Sequence, residues 1–134
     1  MTVRGIHHLG VAVTDLDEAL ATYRRLFGAT LEHRSTVPDQ GVHAVSVLVG
    51  SDRIELVSPT GEDTPVGRFI ASRGPGMHHV AYEVEDVGAA LAELEEAGAE
   101  LIDEVPRTGL FGLEVAFVHP DAVHGVLTEV VCPG

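Results

Sequence analysis

Apolar and polar positions in this chain alternate, then fall into helical spacing, then alternate again, and the whole order is run through twice. Residues 6–13 are β-branched and apolar and end at the turn-prone Thr14-Asp15, which predicts a strand. Leu16, Ala19, Leu20, Tyr23, Leu26 and Phe27 follow at helical spacing behind a Thr14 or Asp15 cap, and Gly28 is the expected stop. Residues 29–37 read as a strand and Pro38-Asp39-Gln40-Gly41 as a turn. Residues 42–49 and 53–58 read as two further strands around the tight turn Gly50-Ser51-Asp52. The first unit is therefore β-α-β-β-β.

Residues 59–76 connect it to a second copy. Thr64 followed by Pro65 predicts a short helix through Ser72, with threonine as cap and proline at the first helical position. Residues 77–84 then predict a strand. Asp86 caps a helix whose apolar face is Val87, Ala90, Leu91, Leu94 and Ala97, ending at Gly98. Residues 99–103 are expected to form a strand, 106–112 a loop, 113–119 a strand, His119-Pro120-Asp121 a turn, and 125–132 the last strand.

The two copies share more than order. Aligned without gaps, residues 6–20 and 77–91 are identical at six of fifteen positions: His7/His78, His8/His79, Val13/Val84, Asp15/Asp86, Ala19/Ala90 and Leu20/Leu91. A repeat of this kind predicts a duplicated supersecondary unit. One domain is expected over residues 1–134, with repeat one at about 5–58, a connector at 59–76 and repeat two at about 77–132. The fold class is α+β, two tandem βαβββ units with eight strands in all.

Composition narrows the function classes. A net charge of −13 argues against nucleic acid and against an anionic membrane surface, both of which attract positive fields. No apolar run approaches the roughly 20 residues of a membrane helix. Met1–Gly5 runs straight into the first strand pattern, and the single cysteine, Cys132, allows no internal disulfide framework. A cytoplasmic protein is expected.

The repeat also carries candidate chemistry. A divalent metal in a strand-built pocket needs neutral imidazoles and carboxylates directed inward from several strands. Side chains alternate faces along a strand, so one member of each His-His pair points inward. The equivalent late strands add Glu55 in Ile54-Glu55-Leu56 and Glu129 in Thr128-Glu129-Val130. A buried carboxylate is costly without a partner, and a metal is a natural one. One histidine and one glutamate from each repeat make a symmetric four-ligand set. His33, His43, His119 and His124 lack this symmetry, and most of them are expected to be structural or solvated.

The paired βαβββ pattern with these residues resembles the vicinal oxygen chelate superfamily, which includes glyoxalase I, extradiol dioxygenases and fosfomycin resistance proteins. Within it the chain is most similar to the methylmalonyl-CoA epimerases, over nearly its whole length. The similarity is carried by Ile6-His7-His8-Leu9-Gly10-Val11-Ala12-Val13, Asp39-Gln40-Gly41-Val42, Ile54-Glu55-Leu56, Gly61-Glu62-Asp63-Thr64-Pro65-Val66, Arg73-Gly74-Pro75-Gly76-Met77-His78-His79, Phe117-Val118-His119-Pro120 and Gly125-Val126-Leu127-Thr128-Glu129.

The resemblance implies a curved eight-stranded mixed sheet around a metal pocket. It implies His8, Glu55, His79 and Glu129 as ligands, with cobalt first among the metals and manganese, zinc or nickel as others. It implies an acyl-CoA substrate, a homodimer, and a 1,1-proton transfer that interconverts two epimers. Where some epimerases carry a glutamate proposed as a base, this chain has Ala44. Glu129 is then the candidate acid/base for one face of the carbon, and His43 or Gln40 for the other. Asp121 stands where a lysine often follows the His-Pro turn, and Gly109-Leu110-Phe111-Gly112 replaces a small or polar loop. These changes leave open another small chelating acid as substrate. A glyoxalase-like or dioxygenase reaction and a resistance-type binding protein are the competing readings.

Overall fold

In the computed structural model, which describes residues 1–133, the two βαβββ units follow from the patterns above; the last residue of the expected 1–134 domain lies outside the described residues. Among the described residues the chain forms eight strands and three α-helices. They are β1 (Val3–Ala12), α1 (Leu16–Phe27), β2 (Thr30–Val37), β3 (Val42–Val49), β4 (Asp52–Pro59), α2 (Pro65–Arg73), β5 (Gly76–Val84), α3 (Val87–Glu96), β6 (Arg107–Thr108), β7 (Glu114–Val118) and β8 (Thr128–Cys132). The expected caps are in place. The side chains of Asp15, Thr64 and Asp86 accept the N–H groups of Glu18, Gly67 and Ala89, satisfying donors that a helix start leaves over.

The chain divides into two compact units whose boundaries fall inside β1 and β5. One holds Leu9–His78; the other joins Met1–His8 to the segment from His79 onward. In the first, β1 pairs parallel with β4, β4 antiparallel with β3, and β3 antiparallel with β2. Val45, Val47 and Leu56 leave the sheet on one face and pack with Leu16 and Leu20 of α1. Alternation puts Ala44, Ser46 and Glu55 on the other face. Gly41 turns the chain into β3 with φ +67°, and a Cβ there would lie 2.6 Å from Thr64 Cγ2, so a side chain would be strained by the turn and would push Thr64 aside.

The second unit repeats the plan. β5 pairs parallel with β8, β8 antiparallel with β7, and β7 antiparallel with β6. Val84, Ala116 and Val130 face α3, packing on Val87, Ala90 and Leu91. Ala81, Val115 and Val131 cluster on the opposite face.

Three expectations differ from the structure. Residues 99–103 are not a strand: only Leu101 makes an isolated bridge, to Val118. The N–H groups of Ile102 and Asp103 both donate to the Phe117 carbonyl, at 3.0 and 3.1 Å. The Phe117 N–H in turn donates to the Asp103 carboxylate at 2.8 Å. A side chain thus stands in for the carbonyl that a continuing ladder would need. The eighth strand is instead the two-residue β6, inside the segment that reads as a loop. The last strand begins at Thr128 rather than Gly125, because a 3-10 turn at Pro120–Val123 exits through His124 and Gly125, both at positive φ.

Candidate metal centre

Alternation along β5, β7 and β8 sends His79, Phe117 and Glu129 to the face that carries Ala81, Val115 and Val131, away from α3. β1 delivers His8 to the same group. His8, His79 and Glu129 are 3%, 4% and 7% exposed. One ligand atom from each lies within 4.8 Å of the other two. His8 Nε2 is 3.0 Å from His79 Nε2 and 3.4 Å from a Glu129 carboxylate oxygen.

This donor set fits a divalent cation. Two imidazole nitrogens and a carboxylate oxygen are the ligand types of zinc, cobalt, manganese and nickel sites. At bond lengths of about 2.1 Å, adjacent ligand atoms stand about 3.0 Å apart at right angles and about 3.4 Å apart at the tetrahedral angle. The spacing here falls in that range. Three polar side chains buried together without a cation would have to share protons among nitrogens that also face a carboxylate.

Two neighbours shape the group and were not singled out from the sequence. The Phe117 ring packs edge-on against His79, with centroids 5.9 Å apart. The Arg107 guanidinium lies over the Phe117 ring, 5.3 Å from its centroid. Arg107 is also 3.3 Å from Asp103, the residue that holds the Phe117 N–H. Phe117 is register partner to Glu129, which marks it as a neighbour once the pairing is known. Nothing in the periodicity alone does so.

The two His-His pairs behave differently. His7 Nδ1 lies 2.8 Å from His8 Nδ1, with the rings nearly perpendicular. His78 instead packs edge-on against Phe69, and burial lowers its pKa.

Glu55 is 4% exposed on β4. Its register partners are Gly10 on β1 and Ser46 on β3. Burial pushes its carboxyl up to about 7, against the opposing pull of Arg53. On the same sheet, Arg53 Nε and Nη2 hold Glu32 at 2.7 and 2.9 Å, and Ser46 donates to Glu32 at 2.9 Å. Arg53 and Ser46 hold the Glu32 carboxyl down at about 2.

Ala44 shares the Glu55 face of β3 and is fully buried. His43 leaves β3 on the opposite face and is exposed, with its Nδ1 2.9 Å from Thr36 Oγ1. Gln40 is half-buried at the end of the 3-10 turn Pro38–Gln40. Asp121 is exposed, and its N–H donates to His119 Nδ1 at 3.1 Å. Phe111 sits in the left-handed region at φ 60° within the Leu110–Gly112 turn.

This fold and donor set define a class, and comparison with known proteins agrees. The Glyoxalase/Bleomycin resistance protein/Dioxygenase superfamily matches residues 7–117, and the chain belongs to it. Within that superfamily it is 38% identical over 126 residues to the ethylmalonyl-CoA/methylmalonyl-CoA epimerase of Cereibacter sphaeroides, covering 92% of this chain and 94% of that one. The crystal structure of methylmalonyl-CoA epimerase from Mycobacterium tuberculosis has a TM-score of 0.94 to it at 34% identity, over 98% of this chain and 89% of that one. A methylmalonyl-CoA epimerase solved with methylmalonyl-CoA and NH4+ has the same TM-score and identity, over 98% and 95%. No described helix is long and apolar enough to cross a membrane.

Proposed function

We propose that this chain is a metal-dependent epimerase that interconverts the (2R) and (2S) forms of methylmalonyl-CoA by proton transfer at C2. The observation that carries the reading is the buried His8, His79 and Glu129 group, with its 3.0 and 3.4 Å donor spacings. The epimerase relatives supply the substrate class.

His8, His79 and Glu129 would hold the cation, which we take to be Co²⁺ before Mn²⁺, Zn²⁺ or Ni²⁺; Glu55 is the fourth ligand that the resemblance adds. When bound, the cation supplies Lewis acidity towards the thioester and carboxylate oxygens and so makes the C2 proton easier to remove. Glu129 takes or returns the proton on one face of C2. Inversion needs a second carrier on the opposite face. Of the two residues considered for it, His43 is exposed on the α1 side of β3, so the half-buried Gln40, orienting a water, is assigned this step. Phe117 backs His79, its ring packed edge-on against the imidazole.

The protein acts in the cytoplasm as a homodimer, the exposed Val3 and Ile6 along β1 offering apolar surface for a second copy. Sedimentation of the purified chain tests the dimer.

The function is tested by following solvent deuterium into C2 of each epimer, with protein loaded in turn with Co²⁺, Mn²⁺ and Zn²⁺. Exchange from both epimers, abolished by His79→Ala, is expected. Folded, metal-loaded protein that exchanges neither epimer would overturn the assignment and move the search to other small chelating acids.

A further inference from the structure

Both members of the first His-His pair are engaged, and the geometry assigns the first a task. His8 presents Nε2 to His79 and Glu129. A neutral imidazole that coordinates through Nε2 carries its single hydrogen on Nδ1. That Nδ1 lies 2.8 Å from Nδ1 of His7. Two imidazole nitrogens at this distance share one hydrogen, so when His8 is a ligand its Nδ1–H donates and His7 Nδ1 accepts. His7 must then keep its own hydrogen on Nε2.

We infer that His7 is a positioning residue that fixes the tautomer and ring orientation of His8 for metal binding. The inference rests on the metal-centre reading proposed above. The perpendicular ring arrangement, with centroids 5.1 Å apart, supports it, because an edge-on nitrogen directs its lone pair at the neighbouring N–H. The repeat sharpens it. His78 holds the equivalent place before His79, and its ring packs edge-on against Phe69, so the two copies give their first histidines different ring neighbours. Partners that hold the outer nitrogen of a ligating histidine typically change metal affinity by about 10- to 100-fold when removed.

The test uses the purified protein and Co²⁺ titrated by calorimetry. His7→Ala is expected to weaken Co²⁺ binding by about 10- to 100-fold. His7→Asn, whose side-chain oxygen falls near the place of Nδ1, should recover most of that loss. His78→Ala, the matched change in the other copy, should stay within about threefold of wild type, since its ring faces Phe69. A structural role alone would not be rescued by asparagine.

Nitrogen NMR on the wild-type protein gives a readout that needs no variant. With Zn²⁺ bound, His7 should show its hydrogen on Nε2, and a ¹⁵N–¹⁵N coupling should pass across the hydrogen bond from His8 Nδ1. A His7 hydrogen on Nδ1, or equal Co²⁺ affinity in wild type and His7→Ala, would overturn the inference. His79→Ala separates the two claims. If it abolishes Co²⁺ binding while His7→Ala does not weaken it, only the positioning role fails; if it leaves binding intact, the metal centre itself is wrong.

Discussion

Asp103 is the residue through which the irregular segment before β6 reaches the candidate metal centre, and Asp103→Ala is a sharp test of that connection. Its carboxylate accepts the Phe117 N–H at 2.8 Å and lies 3.3 Å from Arg107. Phe117 in turn packs on His79. Both backbone groups of Phe117 point towards residues 102–103 rather than towards β8, so alanine leaves that N–H with no strand to turn to. An unsatisfied, part-buried N–H costs about 1–3 kcal/mol. The lost contact with Arg107, which is exposed, adds well under 1 kcal/mol. A total of about 1.5–2 kcal/mol is expected. With an unfolding entropy of about 2.1 cal/mol/K per residue, that lowers Tm by roughly 5–7 °C. Asp103→Asn keeps an oxygen acceptor and should lose less than half as much. Urea unfolding of the three proteins, with Co²⁺ titration in parallel, measures this. The alanine protein should also bind Co²⁺ several-fold more weakly, because the Phe117 ring loses its anchor. Alanine within about 0.3 kcal/mol of wild type, a difference typical of a neutral surface change, would refute the reasoning.

Other parts of the molecule make independent predictions. The Glu32 carboxyl sits at about 2 in the folded protein against an ordinary 4.5. Its stabilisation is therefore present above pH 4.5 and lost as pH falls towards 2. Screening at this partly exposed pair limits it to about 1–2 kcal/mol, and the stability gap between wild type and Glu32→Gln should shrink by more than half between pH 6 and pH 3 in urea unfolding. Glu55 runs the other way. Its folded value of about 7 lies above 4.5, so metal-free protein should lose stability as pH rises from about 4.5 towards 7, and Glu55→Gln should remove that slope. If Glu55 is the fourth ligand, the same variant weakens Co²⁺ binding in calorimetry. Leu56→Ala empties a fully buried position in the α1 core and should cost about 3–4 kcal/mol by chemical denaturation. Gly67→Ala would place a Cβ 2.5 and 2.6 Å from the carbonyl oxygens of Gly61 and Glu62; calorimetric melting should show a loss of about 1–3 kcal/mol.

Much of this architecture is legible because periodicity and caps are local. Asp15, Thr64 and Asp86 announce their helices, and the apolar spacing behind Asp15 and Asp86 identifies the faces that pack. The recurrence of His8 and His79 is legible for a different reason: duplication repeats a position without any reference to packing. What escapes the pattern is long-range substitution of one hydrogen-bonding group for another. Residues 99–103 look like a strand, yet the Asp103 side chain takes the place of a backbone acceptor, and the ladder stops at a single bridge at Leu101. Phe117 and Arg107 escape for a related reason, since the place of Phe117 beside His79, and of Arg107 over Phe117, depends on which strands pair and in what register. The difference between His7 and His78 is also invisible in the repeat, because identical residues meet different neighbours.

The central claim is that His8, His79 and Glu129 hold one divalent cation. Crystals of Co²⁺-loaded protein, with diffraction recorded on either side of the cobalt absorption edge, address it most directly. One strong anomalous peak is expected at about 2.0–2.2 Å from His8 Nε2, His79 Nε2 and a Glu129 oxygen. A peak only at the Glu100, His119 and Asp121 group, where both carboxylates are exposed, or none in protein that binds Co²⁺ in solution, would contradict it.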